Sequence, residues 1–416
     1  MGPLRIAVHD FVGHAFPVQL SRELAARGHQ VLHLYFPGFE APKGPLQPAA
    51  DDPPTFRVQP VSIGRAYDKY SPLRRLRNDR LYVNECYRMI REFRADAVLS
   101  GCATPIAQNW MRQACQKAGI RFIAWVQDLY GPGVRAVLSR KLGRPGAMLG
   151  RVFTRMDESL IQGSDGVVFI SEEFQNAFRQ VRERSHGAWH VIENWAPLDE
   201  LPLRPKVNAW SQANGLADKR VFLYSGTLGL KHNPELLAQL AHRFKSEKDV
   251  AVVVISQGPG RNYLERRKME LSLSNLRLLD FQSFEVFPDV VATGDVLLAI
   301  IEKEAGGYSA PSKVLTYLCA SRPLLLSVPA SNLSARIVAE NQAGIVVEPG
   351  DLEGFVKAAH ELINSPDRAS AFAARGRQYA AATFRIDRIG DKFEEVFTQA
   401  LGARSDRRIT SVTLAS

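Results

Sequence analysis

Short, continuously apolar runs, each separated from the next by a helical pattern, constrain this chain more than any other feature. In the first half they are RIAVHD (5–10), QVLHLYF (30–36), FRVQPVSI (56–63), DAVLSG (96–101), RFIAWVQD (121–128) and DGVVFIS (165–171). Strands apolar on both faces are strands covered on both faces, and helices between them supply the crossovers that parallel pairing needs. Between Trp195 and Trp210 the pattern is broken by Pro197, Pro202 and Pro205, which marks a linker. A second series follows: RVFLYSG (220–226), VAVVVISQG (250–258), NLRLLDF (275–281), DVLLAII (295–301), RPLLLSV (322–328) and GIVVE (344–348). The expected architecture is α/β, with two Rossmann-like doubly wound domains facing a cleft, over residues 1–200 and 201–383. The amphipathic stretch 384–402 is expected to pack back on the first domain, and the polar tail 403–416 to be disordered.

A chain of 416 residues with a hydrophobic fraction of 45% suits two or three domains with real cores. Cys86, Cys102, Cys115 and Cys319 show no C-x-x-C spacing, so free thiols in a reducing compartment are expected, with no zinc site. His186 and His190 are four apart but flank Gly187 and Trp189, a poor metal pair. No apolar run approaches the roughly 18 residues that span a bilayer. The opening MGPLRIAVHDF enters a strand directly, so a cytoplasmic location is expected, with the inner face of the plasma membrane as a place of contact.

The net charge of +10 is unevenly placed. Residues 65–94 hold nine Lys/Arg against four Asp/Glu, and residues 135–155 hold six with no acid. Apolar residues lie among them: Tyr67, Tyr70, Leu73 and Leu76 in the first, Val137, Leu138, Met148 and Leu149 in the second. Such mixtures suit an anionic membrane surface, and equally an ordinary solvated helix face. No nucleic-acid motif accompanies the charge, so no nucleic-acid partner is expected.

Several segments read as anion sites. In AGGYSAPSKVLTYLCASRPLL (305–325) a helix is expected to start with Ser309 as cap and Pro311 in its first turn. Ser309, Ser312 and Lys313 would then face a phosphate at the positive end of a helix dipole. In YSGTLGLKHNP, Gly226 and Gly229 permit a tight strand-to-helix turn, and Lys231 is a point charge for a diphosphate. Gly13 and His14 open a helix after the first strand, where backbone can approach a charged ligand. Gly258 and Gly260 are a weaker signal of the same kind, a nucleotide loop or merely a turn. Asp128 after RFIAWVQ is a general base or a helix or loop cap.

Taken in order, these segments resemble the family 4 glycosyltransferases of GT-B fold, in the branch that builds bacterial surface polysaccharides (the fucosaminyl- and colanic-acid-type transferases). The resemblance rests on RIAVHDFVGHAFPVQLSRELAARGHQVLHLY, WVQDLYGPGV, VIENWAPLDELP, YSGTLGLKHNPELL, ISQGPGRNYLE and APSKVLTYLCASRPLL. It implies retaining, metal-independent sugar transfer from a nucleotide-diphosphate donor, a UDP-sugar, with no other cofactor. The implied acceptor is a polyprenyl-diphosphate-linked saccharide held by the first domain. The donor diphosphate falls to Gly13, Gly226, Gly229, Lys231, Ser309, Pro311, Ser312, Lys313 and Thr316, and catalysis to Asp128 and His14. Gly258, Gly260 and Phe281 fall to the nucleotide loop. Tyr308 and Thr316 stand where the family's paired glutamates are usual, which leaves Glu302, Glu304 and Tyr308 to meet the sugar. Thr227 stands where an arginine is usual, and Ser100, Gly101 and Cys102 offer no histidine where one is usual. The alternatives are a nucleotide-sugar 2-epimerase of the same fold and a non-catalytic partner that kept it.

Overall fold

In a computed structural model, residues 2–39, 41–65, 71–229, 232–308 and 312–402 are described. Lys231, Ser309, Pro311, Tyr67, Tyr70 and the tail 403–416 lie outside them. The chain divides into two compact units, 1–40 with 44–193 and 386–416, and 41–43 with 194–385.

The first unit holds a parallel sheet of seven strands: β1 (Arg5–Asp10), β2 (Gln30–Tyr35), β3 (Phe56–Pro60), β4 (Ala97–Gly101), β5 (Arg121–Val126), β6 (Gly166–Phe169) and β7 (Ala188–Val191). Their order is β3-β2-β1-β4-β5-β6-β7. The second unit holds β8 (Arg220–Ser225), β9 (Val250–Ile255), β10 (Leu276–Leu279), β11 (Val296–Ile300), β12 (Leu324–Ser327) and β13 (Gly344–Val347), in the order β10-β9-β8-β11-β12-β13. In both sheets the winding reverses beside the first strand, between β1 and β4 and between β8 and β11. Loops diverge there at the carboxyl ends, which is where open α/β sheets bind ligands.

The apolar runs fold as their pattern requires: β9 and β11 are buried at every residue. One strand escapes the sequence reading. AWHV is only four residues long and half exposed at the sheet edge, too short to show the apolar run that marks the central strands. His190 lies on it, its imidazole held below the usual range by burial, with Glu395 opposing. The helix Ile386–Gly402 packs against the first unit. Phe393 meets Trp125 edge-on at 5.1 Å between ring centroids, and Arg27 pairs with Asp391 and Glu394 at 2.7 Å each.

The segment Tyr130–Gly163 is a helical hairpin, bent at Gly143 where φ is 63° and ψ −137°. Its arms approach so closely that a Cβ at Gly131 would lie 2.6 Å from the Phe153 backbone, and one at Gly150 2.5 Å from Arg135 Cα. Asn109 Nδ2 ties the second arm down through the Met156 carbonyl at 2.8 Å. Val137, Leu142, Met148, Leu149 and Val152 stay exposed, Met148 by 68%, whereas Leu138 is half-buried. They share the hairpin with the cations of 135–155. On the other basic stretch the helix Pro72–Phe93 exposes Leu73 and Leu76, but Arg88 pairs with Glu85 and Glu92 and Arg80 covers Trp110. Much of that stretch is therefore an ordinary solvated face.

Asp157 latches the hairpin by accepting the Gly131 N–H at 2.6 Å. Burial raises its carboxyl from 3.8 to about 7, Glu158 adds to this, and the Gly131 bond opposes it. A carboxyl raised on folding favours the folded state while protonated, and that contribution is lost as pH rises from 3.8 through about 7. Asp157→Asn, which keeps an acceptor for Gly131, is expected to match the parent near pH 3, below the unfolded value of 3.8, and to exceed it by about 4 kcal/mol near pH 8. Urea unfolding at both pH values reads the difference, and a gap that does not change with pH would show that Asp157 does not titrate as stated.

Candidate active site

At the switch point of the first sheet, Asp10 ends β1 beside Gly101, its partner in register on β4. The chain then turns through Gly13, at φ 81°, and returns the His14 backbone to Asp10. Asp10 Oδ2 accepts the His14 N–H at 2.5 Å, and Oδ1 accepts the Val12 N–H at 3.2 Å. The His14 ring stands over the same carboxylate, Nδ1 to Oδ1 3.6 Å. Burial alone would raise the Asp10 carboxyl; the His14 and His33 imidazoles and the His14 bonds outweigh it and hold it at about 2. Asp10 is thus an anion inside the fold. Cys102, the residue after β4, donates its thiol hydrogen bond to Asp10, and burial next to Asp10 and Asp128 pushes the thiol well up. Behind them His9 bridges Ser100 Oγ at 2.9 Å and Tyr82 Oη at 3.0 Å, pinning the ends of β1 and β4 together.

Asp128 follows β5 on the exposed side of this group. It does not cap the hairpin, whose N-cap is Leu129 without a side-chain bond, so the reading of Asp128 as a helix cap is set aside. The sequence reading passed over Asp10 because an aspartate ending a strand looks like a turn residue. Only the β1–β4 register sets it against Cys102, although the reading had found His14 four residues on.

At the switch point of the second sheet, β8 runs into Gly226, whose φ of 142° belongs to glycine. A Cβ there would also lie 2.7 Å from Lys313 Cε. Lys313 Nζ sits 4.7 Å above the Tyr224 ring and donates to Tyr224 Oη at 3.2 Å, and that hydroxyl donates to the Thr227 carbonyl at 2.9 Å. Tyr317 Oη accepts the Ser225 N–H at 2.8 Å and fixes the lysine-bearing helix to the end of β8. The expected Ser309-capped helix is shorter than the sequence suggests. It spans Lys313–Cys319, with Ser312 as an exposed N-cap and no side-chain cap bond. The Lys313 ammonium, held over the Tyr224 ring, is therefore the fixed positive charge at this end of the sheet.

Gly229 donates its N–H to His232 Nδ1 at 3.0 Å, a buried loop histidine the sequence reading did not single out. Gly258, at φ 87°, is the N-cap of the helix Pro259–Glu270, and Gly260 is buried where a Cβ would strike Leu228 at 2.4 Å. The Gly258–Gly260 turn therefore packs on the Gly226–Gly229 turn. Thr316 is half-buried on the Lys313–Cys319 helix, Tyr308 half-buried before it, and Phe281 half-buried after β10. Glu302 follows β11 and lines a cavity of about 90 Å³ with Asn233, Gln239 and Ser327. Its carboxyl is raised by burial and by Glu304, against a bond from Asn233, while Glu304 itself is exposed. Among the described residues, the Lys313–Cys319 helix carries no carboxylate in place of Thr316.

Against known proteins, residues 16–200 match the model of Glycosyltransferase Family 4 and residues 206–379 that of Glycosyl transferases group 1. The chain is a family 4 glycosyltransferase. The two matches divide it between β7 and β8, at the proline-rich linker. The glycosyltransferase is 24% identical over 312 residues to a protein of Escherichia coli (strain K12) assigned as the colanic acid biosynthesis glycosyl transferase WcaI, covering 73% of this chain and 74% of that one. Among solved structures it resembles sucrose-phosphate synthase of Thermosynechococcus elongatus, with TM-score 0.74 and 16% identity over 96% of this chain and 100% of that one. It also resembles Anabaena HepE in complex with UDP-glucose, with TM-score 0.67 and 14% identity over 95% and 99%. These likenesses bear out the GT-B fold read from the sequence.

Proposed function

We propose that this enzyme transfers a sugar from a UDP-sugar to a polyprenyl-diphosphate-linked saccharide during bacterial surface polysaccharide synthesis, with retention and without a metal. The observation that carries the reading is Lys313, an ammonium held at the switch point of the second sheet by Tyr224 and Gly226. The leaving group of such a transfer is a nucleoside diphosphate, and catalysis needs fixed positive charge where negative charge develops. Lys313 supplies it, with Lys231, Ser309, Pro311, Ser312 and the Gly226–Gly229 turn as further contacts, and Gly258, Gly260 and Phe281 beside the nucleotide. Glu302, Glu304, Tyr308 and Thr316 are assigned to the sugar and ribose. On the first unit Asp128 orients or deprotonates the acceptor hydroxyl, and His14 with Gly13 meets acceptor or diphosphate. The WcaI relative supports the pathway class, and the neighbour solved with UDP-glucose supports the donor class.

The lipid-linked acceptor draws support from the 130–163 hairpin, which presents apolar side chains and six Lys/Arg without an acid between residues 135 and 155. No helix of the described residues is long and apolar enough to cross a membrane, so the contact proposed is peripheral. A thermal-shift panel of UDP, GDP, TDP and ADP tests the donor side. UDP is expected to raise the unfolding midpoint most, since a ligand that binds only the native state stabilises it. A larger rise with another diphosphate replaces the base, and no rise with any of them removes the donor assignment.

A further inference from the structure

We infer that Asp10, His14 and Cys102 form a three-ligand site for a borderline-soft divalent cation, zinc being the metal that suits it best. A carboxylate oxygen, an imidazole nitrogen and a sulfur from these three residues all lie within 4.8 Å of one another. Oxygen, nitrogen and sulfur donors in one set are the chemistry of zinc; calcium and magnesium take oxygen alone. A tetrahedral zinc with bonds of about 2.0 Å to nitrogen and oxygen and about 2.3 Å to sulfur sets its ligand atoms roughly 3.3–3.8 Å apart. The His14 Nδ1 to Asp10 Oδ1 separation of 3.6 Å is already of that size. Cys102 needs to close by about an ångström, within reach of a rotation at its side chain.

Three independent features support the set. His14 Nδ1 is buried and, among the described residues, makes no hydrogen bond of ordinary length; it faces the Asp10 carboxylate at 3.6 Å, an ion-pair distance with room for a cation between them. Cys102 holds a left-handed backbone, φ 58°, uncommon for a residue with a Cβ. Asp10 is oriented by backbone N–H groups, that of Val12 from outside the set and that of His14 itself, as the carboxylate ligands of metal sites are held by hydrogen bonds. Three protein ligands leave a fourth position open. The metal sits in the first unit and takes no part in stabilising the diphosphate. It occupies instead the head of the sheet where His14 would meet the acceptor, so zinc is expected to inhibit. Binding releases the Cys102 thiol proton to solvent and forms a metal–thiolate bond, with no change of oxidation state.

The test titrates the reduced, tag-free full chain with Co²⁺. One equivalent per chain is expected, with a near-ultraviolet thiolate-to-cobalt charge-transfer band that zinc displaces. Cys102→Ser should abolish the band, and His14→Ala should keep it while weakening cobalt binding at least tenfold. Zinc should also protect Cys102 from alkylation, located by mass mapping; the other three cysteines are buried. No charge-transfer band in the parent protein, or an undiminished band in Cys102→Ser, overturns the site. Should Cys102→Ser fail to fold, alkylation of the parent at equal rates with and without zinc does so. None of these readouts depends on turnover, so failure here leaves the proposed sugar transfer standing.

Discussion

Lys313→Ala is expected to lower kcat/KM for sugar transfer by roughly 10²- to 10³-fold, the loss typical when one fixed stabiliser of developing charge is removed. The size follows from position. Lys313 is half-buried, stacked over Tyr224 and pressed against a glycine, so its ammonium is already placed and little reorganisation is needed when charge builds on the leaving diphosphate. Affinity for UDP should fall as well, but by less, because ground-state charge is less concentrated than in the transition state. Lys313→Arg should recover little, since the guanidinium fork is wider and Gly226 leaves no space on that side. Losing the contact with the Tyr224 ring costs about 0.5–2 kcal/mol of stability, so each variant's unfolding midpoint must be measured beside its kinetics. Unchanged UDP affinity and unchanged turnover in a folded Lys313→Ala protein would end the assignment of this lysine to the diphosphate.

Replacing Lys141, Arg144 and Arg151 together with serine should weaken binding to anionic vesicles by roughly 100-fold, at about 1 kcal/mol for each cation near such a surface. All three are exposed on the hairpin, around the bend at Gly143. A parallel variant, Leu142→Ser with Met148→Ser, should reduce binding to anionic and neutral vesicles alike, because it removes burial of apolar surface and not charge. Raising salt from low to physiological levels should weaken the parent more than the triple variant, which keeps only Arg135, Arg140 and Arg155 of the six cations. A flotation assay with vesicles of phosphatidylglycerol and phosphatidylethanolamine, compared with neutral lipid, reads all three. If the parent protein ignores anionic vesicles at low salt, the hairpin is a solvated face and the membrane reading fails.

Much of the fold was legible because parallel strands covered on both faces leave a local signature. The central strands are short apolar runs, whereas the edge strands FRVQP and AWHV bury only part of themselves, and the four residues of AWHV are too few to leave a pattern. Within the candidate site, Lys313 was legible from its place after a small, polar loop, while the start of its helix was not. Ser309 and Pro311 suited an earlier start, yet the helix spans Lys313–Cys319. Propensity states what a residue tolerates at a helix end, and packing decides where the end falls, here through Tyr317 bonded to Ser225. The basic stretches were equally legible as charge, but two stretches that read alike became different objects. One is largely a helix face with its own ion pairs, and the other a hairpin locked by glycines at the crossing of its arms.

The sequence by itself determined that the chain forms two parallel α/β sheets, divided near a proline-rich linker, with glycine-bearing turns at the strand ends. Those properties are written at a range of a few residues, in periodicity, backbone freedom and local charge. The tertiary structure alone decided which turns meet. Strand order puts β1 beside β4 and β8 beside β11, so Asp10 and His14 come to Cys102, and Lys313 comes to Tyr224, across 89 positions of chain in the second case. No local pattern encodes those meetings, because they follow from how whole strands and helices exclude one another's volume once the cores are packed.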